Sequence, residues 1–234
     1  MAPSVFISIL VVAWALRIFM HATNMVIAMD FEAKALQESE WWSSYSNDTS
    51  IHPEWRGIKC NNGGSVTEIN MSGFNLGDNN LITSVITKAL GNSKNLSELD
   101  LSNDTFVGPI PSALGLLTNL SNLDFSYNEI NGSIVSERGM LKKLLVLKLE
   151  HNKLDGPIPS SLGHLTSLTK LCLNSKQMSS SIPLEIGNMK DLKPFSLKYN
   201  KLIGPIPSPL GHLTNLTELD LDSNQMNKIP FHQK

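Results

Sequence analysis

The chain has 234 residues and a formal charge of −2, and 34 Leu, 28 Ser and 22 Asn dominate it while aromatics make up only 6%. So even a charge balance excludes a general electrostatic attraction to nucleic acid or to an anionic membrane. Two cysteines exclude a disulfide-dense scaffold, and this much Leu beside this much Asn and Ser points to a repeated small unit in place of a conventional enzyme core.

Residues 5–15 read VFISILVVAWA, an apolar run broken only by Ser8 and followed by Arg17. A spanning helix needs about 20 apolar residues. The shorter run predicts a secretory signal peptide over residues 1–28, cleaved after Ala28 or alternatively after Ala22, with an uncleaved signal anchor as the rival. Residues 29–65 follow as a separate segment, in which Phe31, Ala35, Trp42 and Tyr45 fall on one face of a predicted helix.

From Val66 the chain is periodic. Lines begin at Val66, Leu96, Leu120, Leu144, Leu168, Leu192 and Leu216, the first 30 residues long, the next five 24, and the last incomplete. Apolar residues recur at positions 1, 4, 6 and 11 of a line, as in Leu144, Leu147, Leu149 and Leu154. Position 9 is Asn128, Asn152, Asn200 and Asn224; position 13 is Gly108, Gly132, Gly156 and Gly204; position 15 is Ile from Ile110 to Ile206, usually followed by Pro. In the first line, residues 81–90 read as a helix ending at Gly91.

Each position has a physical reason. Alternation at positions 4 and 6 makes a short strand with both apolar side chains inward. An Asn amide both donates and accepts, so stacked Asn side chains can satisfy the backbone where the chain leaves the strand. Gly permits the tight bend, and Pro after Ile ends any second strand. No line can bury its leucines alone, so the lines must stack, with seven strands expected in one parallel sheet.

The L-x-x-L-x-L-x-x-N-x-L lines, and above all GPIPSALGLLTNLSNL, GPIPSSLGHLTSL and GPIPSPLGHLTNL, resemble the plant-specific class of leucine-rich repeat. EAKALQESEWWSSYSN and EWRGIKCNNGGSVTEI resemble the N-terminal cap of plant leucine-rich-repeat receptor-like kinases. The expected fold is therefore an α/β leucine-rich-repeat solenoid, a horseshoe or superhelix with a parallel concave β-sheet and a plant-type irregular or 3-10 convex side. The resemblance implies an extracellular ectodomain, in the apoplast or on the outer face of the plasma membrane. It would bind peptides, proteins or co-receptors and be joined through one membrane helix to a kinase.

Three departures stand out. The family's cap pairs two cysteines around a Trp; here Trp55, Gly57 and Cys60 are in place, but Pro53 occupies the first cysteine position. Cys60 and Cys172 lie about four strand steps apart, on the order of 20 Å, while a disulfide needs Cα atoms within about 7 Å. Both thiols are expected to be free. In the line at Leu168, Lys176 replaces the ladder Asn and Ser180 the Gly, Cys172 sits on the outer face of its strand, and Pro194 enters the next strand. The weakest part of the solenoid is expected around residues 170–196. Finally, the chain reaches Lys234 without a closing cap, membrane helix or kinase, as a truncated ectodomain would.

No catalytic constellation is present: there is no Gly-rich phosphate loop, H-R-D, D-F-G or G-x-S-x-G, and the expectation is a non-enzymatic chain without cofactor. His164 and His212 share a position two lines apart, roughly 10 Å by strand spacing, too far to share a metal ion. The concave sheet is the informative surface. The candidate ligand-binding residues are Asp100, Asp124, Tyr127, Lys148, Glu150, His151, Lys170, Lys198, Tyr199 and Asp220, a mixed-charge set that suits a peptide or protein, with another leucine-rich-repeat receptor kinase as a possible co-receptor. Sequons occur at Asn47, Asn70, Asn95, Asn103, Asn119, Asn131 and Asn215. The main reading is the recognition module of a receptor-like kinase. The alternatives are a secreted inhibitor resembling polygalacturonase-inhibiting proteins, and a truncated or decayed receptor without independent activity.

Overall fold

A computed structural model describes residues 57–61, 65–74, 93–134, 141–174 and 177–226. The expectations for the signal segment, the two predicted helices, Pro53, Asn47 and Lys176 lie outside these residues, as does the Cys60 side chain. What is described is a stack of coils in a leucine-rich-repeat solenoid. Each coil contributes a strand to the concave sheet: β2 (Val66–Asn70), β3 (Glu98–Asp100), β5 (Asn122–Asp124), β7 (Val146–Lys148), β9 (Lys170–Cys172), β11 (Pro194–Ser196) and β13 (Glu218–Asp220), all parallel. The register is strict: Leu99 pairs with Leu123, Leu123 with Leu147, Leu147 with Leu171, Leu171 with Phe195, and Phe195 with Leu219.

The sheet holds one strand more than the seven expected. β1 (Ile58–Cys60) pairs antiparallel with β2, Ile58 against Ile69 and Lys59 against Glu68, and so covers the sheet's first edge. Gly57 admits it. Its φ is +85°, and a Cβ there would lie 2.1 Å from the Asn70 carbonyl oxygen.

A second set of strands runs along the flank. β4 (Val107–Gly108), β6 (Glu129–Ser133), β8 (Lys153–Pro157) and β10 (Gln177–Ser179) form one parallel sheet, and β12 (Ile203–Gly204) pairs with β14 (Gln225–Met226). The Ile-Pro step after the Gly turn then ends the flanking strand, and the convex side is made of 3-10 turns at Ser112–Leu116, Ser160–His164, Leu184–Asn188 and Ser208–His212. Each is entered through an extended proline, Pro111, Pro159, Pro183 or Pro207.

The core is one continuous column. Positions 1, 4, 6 and 11 are buried from Leu96 through Leu202, with Phe106, Phe125 and Phe195 fully enclosed. Toward the C-terminal side the burial fades, and Leu219 is 39% exposed. The stretch expected to be weak keeps its fold but carries three local faults. Thr169 N and Lys170 N both donate to the Leu145 carbonyl, and Thr217 N and Glu218 N to that of Lys193, whereas only Lys193 N reaches Thr169, because Pro194 has no N–H. The pairing of β9 with β11 is correspondingly shortened to two residue pairs. Ser180 adopts φ +71° where its counterparts are glycine. The third concerns Cys172: alternation does turn it away from buried Leu171 and Leu173, yet it is only 9% exposed, a buried free thiol and no surface group.

Candidate functional site

With Leu and Phe turned inward, the residues between them face the concave side. Where the third strand residue is Asp, its side chain is tied to the exit turn. Asp100 Oδ1 accepts from Ser102 N, Asp124 Oδ1 from Ser126 N and Oγ, and Asp220 Oδ1 from Asp222 N. This Asp-x-Ser or Asp-x-Asp lock was visible in the sequence as a repeated spacing but was not part of the expected pattern.

The second oxygens of Asp124 and Asp220 face lysines of neighbouring coils. Lys148 Nζ lies 2.8 Å from Asp124 Oδ2, and Lys198 Nζ lies 3.5 Å from Asp220 Oδ2 and 4.0 Å from Asp222 Oδ2. The hydrogen bond to Asp124 pushes the Lys148 ammonium above its ordinary range, and the charge of Asp220 does the same for Lys198. Toward β1, Lys59 pairs with Glu68 at 2.7 Å. Thus the mixed charge of the concave face is organised as cross-coil ion pairs. A recess of about 120 Å³ opens among Glu68, Asn70, Glu98, Asp100, Asp124 and Lys148.

Glu150 and Cys172 occupy the middle of the face. Burial pushes the Glu150 carboxyl above the usual range, with Asp124 adding to the effect and Lys148 and Lys170 opposing it. Burial likewise pushes the Cys172 thiol up to about 11, so it is a poor nucleophile.

One rim of the sheet is formed by residues in the left-handed region: Asn103, Tyr127, His151, Tyr199 and Ser223, with φ between 55° and 59°. That conformation costs a non-glycine residue free energy, and here it projects rings. Tyr127 and His151 stack at 4.3 Å with an interplanar angle of 13°, and the Lys198 ammonium lies 5.1 Å from the Tyr199 ring centre. Tyr127 and Tyr199 remain about half exposed. Of the ten candidate residues, the fold therefore pairs Asp124 with Lys148, Asp220 with Lys198 and Tyr127 with His151. Asp100 borders the recess, and Lys170 acts on Glu150 and Cys172 by charge.

Among the sequons, Asn70, Asn95, Asn103, Asn131 and Asn215 are exposed. Asn119 is half-buried and engaged on both amide atoms: Nδ2 donates to the Lys94 carbonyl and Oδ1 accepts from Lys143 Nζ at 2.6 Å. Among the described residues no group of three or more His, Cys, Asp or Glu is placed to hold a metal ion, and no helix is long and apolar enough to cross a membrane.

The family described as Leucine Rich Repeat matches residues 95–117 and 143–165. No curated protein matches the chain. Among solved structures, it is similar to the leucine-rich-repeat ectodomain of the membrane receptor kinase GASSHO1/SCHENGEN3 from Arabidopsis thaliana, in complex with CASPARIAN STRIP INTEGRITY FACTOR 2. That match has 30% identity and a TM-score of 0.68 over 87% of this chain and 28% of that one. The plant peptide hormone receptor RGFR1, in complex with RGF2, matches at 26% identity and a TM-score of 0.58 over 74% of this chain and 34% of that one. Pollen Receptor Kinase 3 matches at 27% identity and a TM-score of 0.66 over 81% of this chain and 88% of that one. The chain spans about a quarter to a third of the first two. It carries leucine-rich repeats, and the solved structures it is like include plant receptor kinases and, at 20% identity and a TM-score of 0.65 over 84% of this chain and 72% of that one, a plant ice-binding protein.

Proposed function

We propose that the chain is an extracellular recognition module of the plant receptor-like-kinase type that takes a peptide or protein ligand across its concave sheet. On this reading residues 1–28 direct secretion, residues 29–65 cap the first coil and the repeats from Val66 onward present the ligand surface. A signal would leave through another leucine-rich-repeat receptor kinase acting as co-receptor, or through a kinase in a longer product.

The observation that carries this reading is the composition of the concave face: cross-coil ion pairs Asp124–Lys148 and Lys198–Asp220 beside half-exposed Tyr127 and Tyr199. Mixed charge with a few exposed aromatics is what protein interfaces use for specificity and anchoring. The two complexes support a peptide or protein ligand, since one is a receptor-kinase ectodomain and the other a peptide hormone receptor, each in complex with a partner.

The test is selection of binders from a displayed random-peptide library on the full chain secreted from plant cells. Calorimetry then follows with Lys148→Glu and the double variant Tyr127→Ala/Tyr199→Ala. Selected peptides should lose at least about tenfold in affinity to each variant. Peptides that bind both variants as well as the parent, or a library that yields no binder, would refute the concave-face reading.

A further inference from the structure

We propose that Glu150 and Asn174 form a two-acceptor subsite on the concave sheet for a primary ammonium group. This rests on the reading of that sheet as the ligand surface and names the chemistry one part of it selects.

The two residues hold the same position on neighbouring coils, each one step beyond a buried leucine, Leu149 and Leu173. Adjacent strand backbones sit about 4.8 Å apart, which makes the two side chains neighbours. Glu150 Oε2 and Asn174 Oδ1 are both shut off from solvent, and both lack a hydrogen-bond partner. The deficit is confined to the side chains. The Glu150 carbonyl accepts from Tyr127 N at 3.0 Å, and the Asn174 carbonyl from His151 N at 2.8 Å. Buried acceptors are normally paired, and an unpaired carboxylate oxygen is the costliest kind.

Two unpaired acceptors on neighbouring coils select the donor. One nitrogen that hydrogen-bonds two oxygens at about 2.9 Å each, with a tetrahedral angle between them, spans about 4.7 Å from oxygen to oxygen. Side chains on neighbouring strands can present two oxygens at such a span. A hydroxyl or a peptide N–H has a single hydrogen to give and can satisfy only one of the two acceptors. A primary ammonium has three hydrogens and also neutralises the carboxylate.

The charges around the pair leave room for it. Lys148 is committed to Asp124 at 2.8 Å. Among the described residues no ion pair joins Glu150 to Lys148 or Lys170, although both lysines and Asp124 act on it at longer range. Cys172, which also faces this part of the sheet, is a neutral thiol. A peptide ligand offers a primary ammonium from two sources, a lysine side chain or its free amino terminus.

The test is carbon-detected NMR of the full chain, with the Glu150 carboxyl resonance assigned by its loss in Glu150→Gln. Methylammonium should shift that resonance and the Asn174 side-chain amide saturably and together, whereas tetramethylammonium, which has the charge and no donor, should not. Asn174→Leu should weaken the response at least about tenfold, the effect of one charge-assisted hydrogen bond. Asn174→Ser replaces it if the leucine variant loses its circular-dichroism melt. Nα-acetyl-lysine methylamide and alanine methylamide then distinguish the two sources, the tighter one naming the group the ligand presents. The proposal is overturned by an absence of saturation or by equal responses to methylammonium and tetramethylammonium. A direct hydrogen bond from the Asn174 NH2 to Glu150 in the free protein, which would close the pair, also overturns it. None of these readouts uses a peptide, so concave-face recognition can stand while the subsite fails.

Discussion

The amide nitrogen of Asn152 donates to the carbonyl of Phe125 at 2.8 Å, across 27 residues of chain. The same side chain donates to Leu149 and Glu150 and accepts from Ile130 N at 3.0 Å. Asn128 and Asn200 repeat the arrangement one coil earlier and two coils later. Because Asn152 is buried, replacing it by Leu leaves those backbone groups without partners. Asn152→Leu should cost about 3 kcal/mol, read from the midpoint and slope of urea unfolding. Asn224→Leu should cost measurably less, since its position is only partly buried. Equal losses at the two sites would refute the ladder as the cause.

The convex glycines should divide sharply. A Cβ on Gly163 would lie 2.3 Å from the Glu185 carbonyl oxygen, and one on Gly187 would lie 2.5 Å from Pro209, while one on Gly211 meets nothing within 4 Å. Gly163→Ala and Gly187→Ala should each destabilise by about 2–3 kcal/mol through forced separation of the turns. Gly211→Ala should be neutral or stabilising by up to about 1 kcal/mol. Thermal melts of the three variants side by side give the answer.

Ser180 holds the left-handed conformation that glycine occupies in the other coils. The space is not the issue there, since a Cβ on the equivalent Gly156 or Gly204 would find ordinary contacts of 3.4 and 3.6 Å. The strain is in the backbone, and Ser180→Gly should stabilise by about 0.5–1 kcal/mol. A loss of stability would mean that the serine hydroxyl contributes more than the backbone strain removes.

Glu150 gives the chain a pH dependence of a particular sign. Its carboxyl is raised above 4.5 by burial, so the folded state holds the proton more tightly than the unfolded one. The stability it contributes is fully present below about pH 4.5 and is lost as the pH rises through the folded value. Glu150→Gln should flatten that descending stretch of the stability curve, measured by urea unfolding at a series of pH values. An unchanged slope would place the titrating group elsewhere.

Cys172 should resist alkylation in the folded chain at pH 8, because its thiol is buried and raised to about 11. In urea without reductant, mapped peptides should carry iodoacetamide on both Cys60 and Cys172. A Cys60–Cys172 disulfide would leave both unlabelled.

The concave sheet and its core were legible because a repeat states its burial pattern several times over. Leu99, Leu123, Leu147 and Leu171 each say the same thing, and Phe195 fits because the slot asks for apolar volume. β1 was not legible: Ile58–Cys60 is three residues long and belongs to no repeat. Gly115, Gly163, Gly187 and Gly211 recur at multiples of 24 residues, but a small residue gives no sign of what approaches it until the neighbouring turn is in place. For Cys172, alternation supplied the direction and not the depth, since strand geometry fixes which face a side chain takes while neighbouring long side chains decide how much water reaches it. The lysines were placed on the right face, but their partners depend on reach across coils, which spacing alone does not specify.

The ladder asparagines also have a sense of direction. Between coils, Asn128, Asn152, Asn200 and Asn224 each give to and take from the coil made before their own. As the chain leaves the ribosome, each new asparagine therefore finds its partners already synthesised, and none has to wait for a coil still to come. Assembly can keep pace with translation, one coil serving as the template for the next.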